Sequence, residues 1–374
     1  MSLPSSPSRR DSRVDLLRGL ALLTIFVDHI PGNLLGYLTF RNFGFSDAAE
    51  LFVVLAGFSS MMAYGGCFER DGPVPGLRRV ALRCLRLYLV QMGLLVATLA
   101  IVWLWSRRFG LDTAEIQPIL DRGMRSGMAH GLILEALPAY LDILPLYIVL
   151  IGVFPLVYLL MRWNPTVAMT LSAGLWLATN LDPALNLPNT VYDRRWFLDP
   201  FSWQFLFTLG IGLAMVLRRR DGRLPIVPGL RAASWAYLLF ALLVAAPWRG
   251  WGLTDVQLLA VPLTDKTILA PLRLLNILAL VYLALTSDWV WTTAARPLVT
   301  PIIACGKHSL EVFAVGTILS LIGRLLFETL GTPLWLQLAI NGIGFTVLFW
   351  LAWHLEGNGR APQSSRQPGL RPGI

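Results

Sequence analysis

The chain has 374 residues, 55% of them hydrophobic and only 14% charged, whereas a soluble domain carries about 25% charged residues. Long apolar runs at 143–161, 201–217 and 334–353 contain no Asp, Glu, Lys or Arg, which excludes an ordinary soluble enzyme and predicts membrane spans. The formal charge of +9 comes almost wholly from arginine, Lys266 and Lys307 being the only lysines, and because it follows the expected topology and not one soluble face, no nucleic-acid partner is expected.

In chain order, residues 1–14 are rich in Ser, Pro and Arg and read as a disordered cytoplasmic tail. The apolar stretch after them is not trailed by a small-residue cleavage site, so it reads as a retained span and not as a signal peptide. About ten spans are expected, at 16–37, 48–66, 80–105, 140–161, 166–182, 201–217, 232–248, 268–286, 301–325 and 334–354. At roughly 20 residues each they use about 200 residues. Short loops and a second disordered tail at 357–374 remain, which implies a single polytopic membrane domain over 15–356, all-α in class. Arginines on the side of the N-terminus outnumber those on the other side by about two to one, which places both termini in the cytoplasm. Tryptophans near span ends, among them Trp103, Trp105, Trp248, Trp251 and Trp289, support the boundaries. Cys67, Cys84 and Cys305 have no CxxC or Cys/His spacing, so neither a disulfide framework nor a metal site is indicated. No fixed-period repeat and no glycine-rich phosphate loop is present.

The first span carries the most chemistry. Its sequence DLLRGLALLTIFVDHIPGN sets Asp28 and His29 deep in an otherwise apolar helix, where ionisable groups are expensive and usually functional. Arg18 and His29 are eleven residues apart, so in a helix they differ by about 20° in azimuth and about 16 Å along the axis. Asp15, Leu22, Ile25 and Asn33 share that stripe. It places a cation near the cytoplasmic surface and an imidazole near the outer one, which suits a substrate reaching in from one side and reacting with another from the opposite side. The alternative is a histidine that only bonds a neighbouring helix. Asp28 points about 100° away from His29 and cannot orient the ring by adjacency alone.

In the second span Asp47 and Glu50 lie three apart on one face at the outer edge. They could orient a histidine or bind a sugar hydroxyl, or simply suit the positive end of a helix. Arg79, Arg83 and Arg86 form one face at the cytoplasmic start of the third span. Guanidinium groups grip phosphates bidentately, so this cluster suits the phosphates of a coenzyme A thioester, or else anchors the helix to anionic lipid. Lys307 and His308, at the start of the ninth span, either touch the same phosphates or belong to a helix-end cluster. Arg273 inside the eighth span needs a carboxylate or phosphate partner. The outer loops mix Asp112, Glu115, Glu135, Asp193, Arg194 and Asp199 with Tyr192 and Trp196, a composition suited to binding sugar or to plain solvated connectors.

Five blocks, DLLRGLALLTIFVDHIPGN (15–33), FGFSDAAELFVVLAGF (43–58), LPAYLDILPLYI (137–148), DPFSWQFLFTLG (199–210) and CGKHSLEVF (305–313), resemble the OpgC family. These are membrane succinyltransferases that modify osmoregulated periplasmic glucans, within the broader acyltransferase family 3 type. Arg18 and His29 also match the Arg-x10-His pattern of that wider group. Asp199-Pro200 stands where the family reads Asn-Pro, and Ala56-Gly57 where it reads Ser-Gly.

The resemblance implies acyl transfer across a bacterial inner membrane. A cytoplasmic acyl-CoA, succinyl being the favoured acyl group, donates to a hydroxyl of a periplasmic glucan; acyl-CoA is a co-substrate and no cofactor is tightly bound. In that scheme Arg79, Arg83, Arg86 and Lys307 hold the coenzyme, and Arg18 steadies the thioester side or a free carboxylate. His29, with Asp28 and Glu50 assigned beside it, removes the acceptor proton, and Asp47, Asn33, Trp203 and Gln204 meet the acceptor. A transient acyl-histidine is the alternative route. Two other readings compete: O-acetylation of a different envelope polysaccharide, and a non-enzymatic exporter of saccharide or polyanion. The exporter would favour inverted repeats and paired broken helices. No internal symmetry is evident, although Pro31-Gly32, Pro138 and Pro145 mark helix breaks.

Overall fold

The computed structural model describes residues 11–110, 115–220, 222–248, 250–253 and 263–358. Asp112 and most of both expected tails lie outside the described residues.

Helix α1 (Ser12–Asp28) begins inside the segment read as a tail, because Asp11 caps it and accepts from the Arg13 amide at 3.0 Å. It stops at Asp28, where the first span was expected to reach 37. Pro31 cannot continue a helix, and Gly32 turns the chain at φ +81°. Two short 3₁₀ turns, Leu34–Leu38 and Phe40–Asn42, then lead to α2 (Ala48–Ser60). The first turn of α2 is a reciprocal capping box: the Ala49 amide donates to Asp47 Oδ1 at 2.8 Å, and the Asp47 amide donates to Glu50 Oε2 at 2.9 Å. A π-helical turn, Met61–Gly65, joins α2 to α3 (Gly66–Arg70). Helix α4 (Pro73–Phe109) has 37 residues, about 55 Å of helix, and so projects well beyond a hydrocarbon core of about 30 Å.

The next loop folds two short helices, α5 (Gln117–Asp121) and α6 (Met124–Leu132), before α7 (Ile143–Trp163) and α8 (Pro165–Leu181). A two-residue antiparallel pair, Pro188–Asn189 with Arg194–Arg195, pins the loop that leads to α9 (Pro200–Arg219). Then come α10 (Pro228–Ala245), α11 (Pro271–Leu285) and α12 (Asp288–Ala294). The chain closes with α13 (Thr300–Lys307), α14 (Ser309–Leu330) and α15 (Leu334–Asn358). The span expected over 301–325 is thus divided at His308.

The protein is an all-α integral membrane protein. Among the described residues seven helical segments are long and apolar enough to cross a membrane, and an eighth counts if α11 and α12, bent by 69°, form one broken span. About ten were expected. The difference arises largely at α1 and α8, each 17 residues, and at the short, bent α11–α12 pair.

Helix α1 runs through the centre, packed on α2, α13 and α14, while α2 lies along α9. Glycines set both crossings. A Cβ on Gly19 would overlap the Ile302 carbonyl and one on Gly306 the Asp15 carbonyl, and Gly57 and Gly210 meet the Phe207 and Val54 carbonyls in the same way. Small residues let helix backbones approach where apolar burial gives no driving force against lipid. Helix α4 closes one side against α7 and α14, and α10 lies at the periphery against α11.

Candidate active site

Two neighbouring cavities open at the Arg18 end of α1, and a third opens at its His29 end. The first, about 520 Å³, is lined by Asp15, Arg18, Ser59, Met62 and Arg218 among others. The second, about 190 Å³, shares Arg18, Ser59 and Ala63 with it and adds Tyr64, Arg83, Tyr147, Ser309 and Phe313. Arg18 donates to the Leu55 carbonyl at 3.3 Å and to Ser59 Oγ, with Asp15 3.8 Å away. Arg83 is half-buried and makes no ion pair or hydrogen bond among the described residues. The π-helical turn supplies Met62, Ala63 and Tyr64 to these walls; such turns widen a helix locally and recur at functional sites.

The third cavity, about 560 Å³, is lined by Ile25, Asp28, His29, Arg41, Asp47, Tyr140, Asp142, Arg194, Phe197, Lys266 and Phe313. Phe313 therefore lines a cavity at each end of the bundle. His29 is the C-terminal cap residue of α1, not a residue deep within a helix. Its Nδ1 is buried with no hydrogen-bond partner among the described residues, and its ring lies 4.8 Å from the Tyr140 ring, centroid to centroid. Asp142 also carries an unpartnered buried oxygen, Oδ1. Asp142 precedes α7 in the loop, and burial there pushes its carboxyl up to about 7 against the opposing pull of Arg194 and Lys266. Among the described residues five non-glycine positions have positive φ: Leu134, Tyr140, Asp193, Leu263 and Leu269. All five lie in the loops that supply this cavity, and such conformations cost on the order of 1–3 kcal/mol each.

The structure brings some of the expected residues together and separates others. Arg18, Arg83, His29, Asp28 and Asp47 line the cavities. Asp28, however, is bonded to other partners than the imidazole: its Oδ1 accepts from Thr39 Oγ1 at 2.6 Å and lies 3.3 Å from Arg41 Nε. Glu50 is fully buried and lines none of these cavities. It accepts from Arg273 Nε at 2.6 Å, and Arg273 also reaches Asp47 at 3.2 Å, which supplies the partner that Arg273 requires. Arg79 and Arg86 leave the cluster expected around Arg83. Arg79 sits 3.5 Å from Asp71, and Arg86 pairs with Glu311; both are exposed. Lys307 is tied to Glu356 at 2.7 Å, away from the cavities.

Three residues assigned to the acceptor line none of these cavities and hold helices and loops. Because α1 ends early, Asn33 is off its stripe and exchanges two hydrogen bonds of 2.9 Å with Asn341 on α15. The buried Trp203 indole donates to the Lys266 and Thr267 carbonyls at 3.2 and 3.1 Å, and Gln204 bonds Ser172 on α8. Trp203 thereby fixes the loop that presents Lys266, whose Nζ meets Asp47 at 2.6 Å. Residues not singled out beforehand include Ser59, Tyr147, Tyr140 and Asp142. The last three fall in the block 137–148, where the clustering of polar side chains against an apolar run was the available signal.

A helical bundle that carries buried ionisable groups on one central helix, with cavities towards both ends of it, defines a polytopic membrane protein with candidate sites at both ends of that helix. The OpgC protein family matches residues 10–359, nearly the whole chain, and the protein belongs to that family. Membership carries a transferase role and suggests a membrane acyltransferase acting on periplasmic glucans. No curated protein matches the chain.

Proposed function

We propose that the protein takes an acyl group, succinyl in the first instance, from cytoplasmic acyl-CoA and passes it to a hydroxyl of a periplasmic glucan across a bacterial inner membrane. The observation that supports this most is the placement of Arg18 and His29 on one helix, each in a cavity at opposite ends, with Phe313 on both walls. A thioester is already activated, so the protein chiefly supplies alignment and a base. Arg83 and Arg18 grip coenzyme phosphates or a free carboxylate, and the thioester arm extends towards Phe313. In the outer cavity the aromatic face of Phe197, with Asp47, Asp142 and Lys266, offers stacking and both donors and acceptors to a polyol.

His29 removes the proton as the sugar oxygen attacks the thioester carbonyl carbon. The carbon–sulfur bond then breaks, and the departing thiolate of the coenzyme takes up that proton. The test is reconstitution in liposomes with radiolabelled succinyl-CoA or acetyl-CoA on the Arg18 side and a neutral glucan on the other. Label should reach glucan from succinyl-CoA with the wild type and not with His29→Ala, while donor binding persists. Passage of intact glucan across the bilayer with no consumption of either donor would replace this reading with export.

A further inference from the structure

A catalytic imidazole needs its ring held, and the usual means is a hydrogen bond from the ring nitrogen that does not do the chemistry. His29 has none: Nδ1 is unpartnered among the described residues, and the adjacent Asp28 is spent on Thr39 and Arg41. An aromatic contact stands in that place. Tyr140 lines the outer cavity with its ring 4.8 Å from the His29 ring, at an interplanar angle of 53°. The Arg324 guanidinium lies 4.3 Å from the centroid of the same tyrosine ring, within the range where cation–π attraction holds.

Arg324 is itself fixed from α14 to the outer loop, donating to Glu115 at 3.0 Å, and the Glu115 carbonyl accepts from the Tyr192 hydroxyl at 2.8 Å. Tyr140 is held at φ +67°, a backbone region that glycine occupies freely and a tyrosine does not. A strained residue whose ring meets both a candidate base and a clamped cation is held there by its surroundings and not by local preference.

We propose that Tyr140 is a positioning residue for His29, clamped through Arg324 and Glu115, so that the outer loop fixes the imidazole by ring packing. The inference rests on the reading of His29 as the base. It follows that the ring matters and the hydroxyl does not, and that Arg324, which does not line the cavity, acts through Tyr140.

The test uses the full-length protein in proteoliposomes with succinyl-CoA and glucan. Tyr140→Phe should retain most of the wild-type turnover. Tyr140→Ala and Tyr140→Gly should both lower kcat by tenfold or more, with the donor KM unchanged. Glycine relieves the backbone strain that alanine keeps, so Tyr140→Gly should melt no lower than Tyr140→Ala while turning over equally slowly. A purely structural tyrosine would let the better-tolerated variant recover activity. Arg324→Ala should lower kcat by a similar factor, and the Tyr140→Ala/Arg324→Ala double variant should be no slower than Tyr140→Ala alone. A full turnover rate in Tyr140→Gly, or losses that multiply in the double variant, would overturn the positioning role while leaving the base reading intact. Undiminished transfer by His29→Ala would remove the base reading, and this inference with it.

Discussion

The two ends of α1 are built differently. At the Arg18 end the cavity walls come from helices α1, α2, α4, α7, α9 and α14 and from the π-helical turn, and Arg83 stands ready for a partner. At the His29 end much of the wall is loop, Asp28 and Asp47 are already paired with Arg41 and Lys266, and every positive-φ residue other than glycine among the described residues lies in the loops that supply it. A helical wall with a cation suits a ligand of fixed form whose phosphates are always the same. A loop wall with mixed donors, acceptors and aromatic faces suits an acceptor whose shape varies, and loops can change without disturbing the bundle. The strained conformations at one end only mark where geometry is imposed by long-range contacts and not by local preference.

The sharpest way to break this contrast is to remove the buried charge network that ties the loop end to the helices. Arg273 on α11 pairs with Glu50 and reaches Asp47, which Lys266 also meets, and Glu50 has no exposure to solvent. Arg273→Ala leaves the buried Glu50 without its cation, while Asp47 keeps Lys266, and is expected to cost about 3–5 kcal/mol, as loss of one partner of a buried pair does. Thermal unfolding in detergent should show a large fall in Tm. A paired Arg273→Met/Glu50→Met variant should recover most of it, because replacing a buried pair by apolar groups is often neutral. A Tm of Arg273→Ala close to wild type would mean that the loop end is held by something else.

A smaller effect separates the arginines of α4. Arg83→Ala should raise the donor KM about tenfold or more with little change in kcat, since a charge-assisted contact to phosphate made equally in ground and transition states acts on binding. Arg86→Ala should change it by less than about twofold, because that side chain is exposed and spends its charge on Glu311. Equal effects from the two substitutions would return the cluster to the joint role that its spacing implies.

That pair shows what a sequence can carry. Spacings of i, i+4 and i+7 fix azimuth, and they correctly put three arginines on one face of α4. They say nothing of Asp71 in the preceding turn or Glu311 on α14, which draw Arg79 and Arg86 outward. The Arg18 and His29 stripe was legible because helical period alone relates two positions within one helix, and the early stop at Pro31 moved His29 only to the cap. Asn33 was misplaced by the same stop. The partner of Arg273 lies more than two hundred residues away in sequence and is brought near by folding. Tyr140 was hidden for another reason: positive φ in a tyrosine is a product of tertiary restraint, with no glycine or asparagine to announce it.

The finest distinction between the two ends lies in proton dependence, and Asp142 is where it can be read. Its carboxyl stands in the cavity at the His29 end, pushed up to about 7 by burial, with Oδ1 unpartnered. Below that pH it is protonated, and above it the anion accepts a stronger hydrogen bond from a sugar hydroxyl. The glucan KM should therefore fall as pH rises through about 7, by a fewfold, while the succinyl-CoA KM stays flat because no such carboxyl faces Arg83. Asp142→Asn should hold the glucan KM at its low-pH value throughout. If the inflection survives in that variant, it belongs to another group facing the same cavity, His29, Asp28 or Asp47 under the influence of Arg41, Arg194 and Lys266. If both substrates show it, the proton acts on the transfer step common to them, and the separation of a fixed donor end from an adaptable acceptor end fails at the one position where it is most directly exposed to titration.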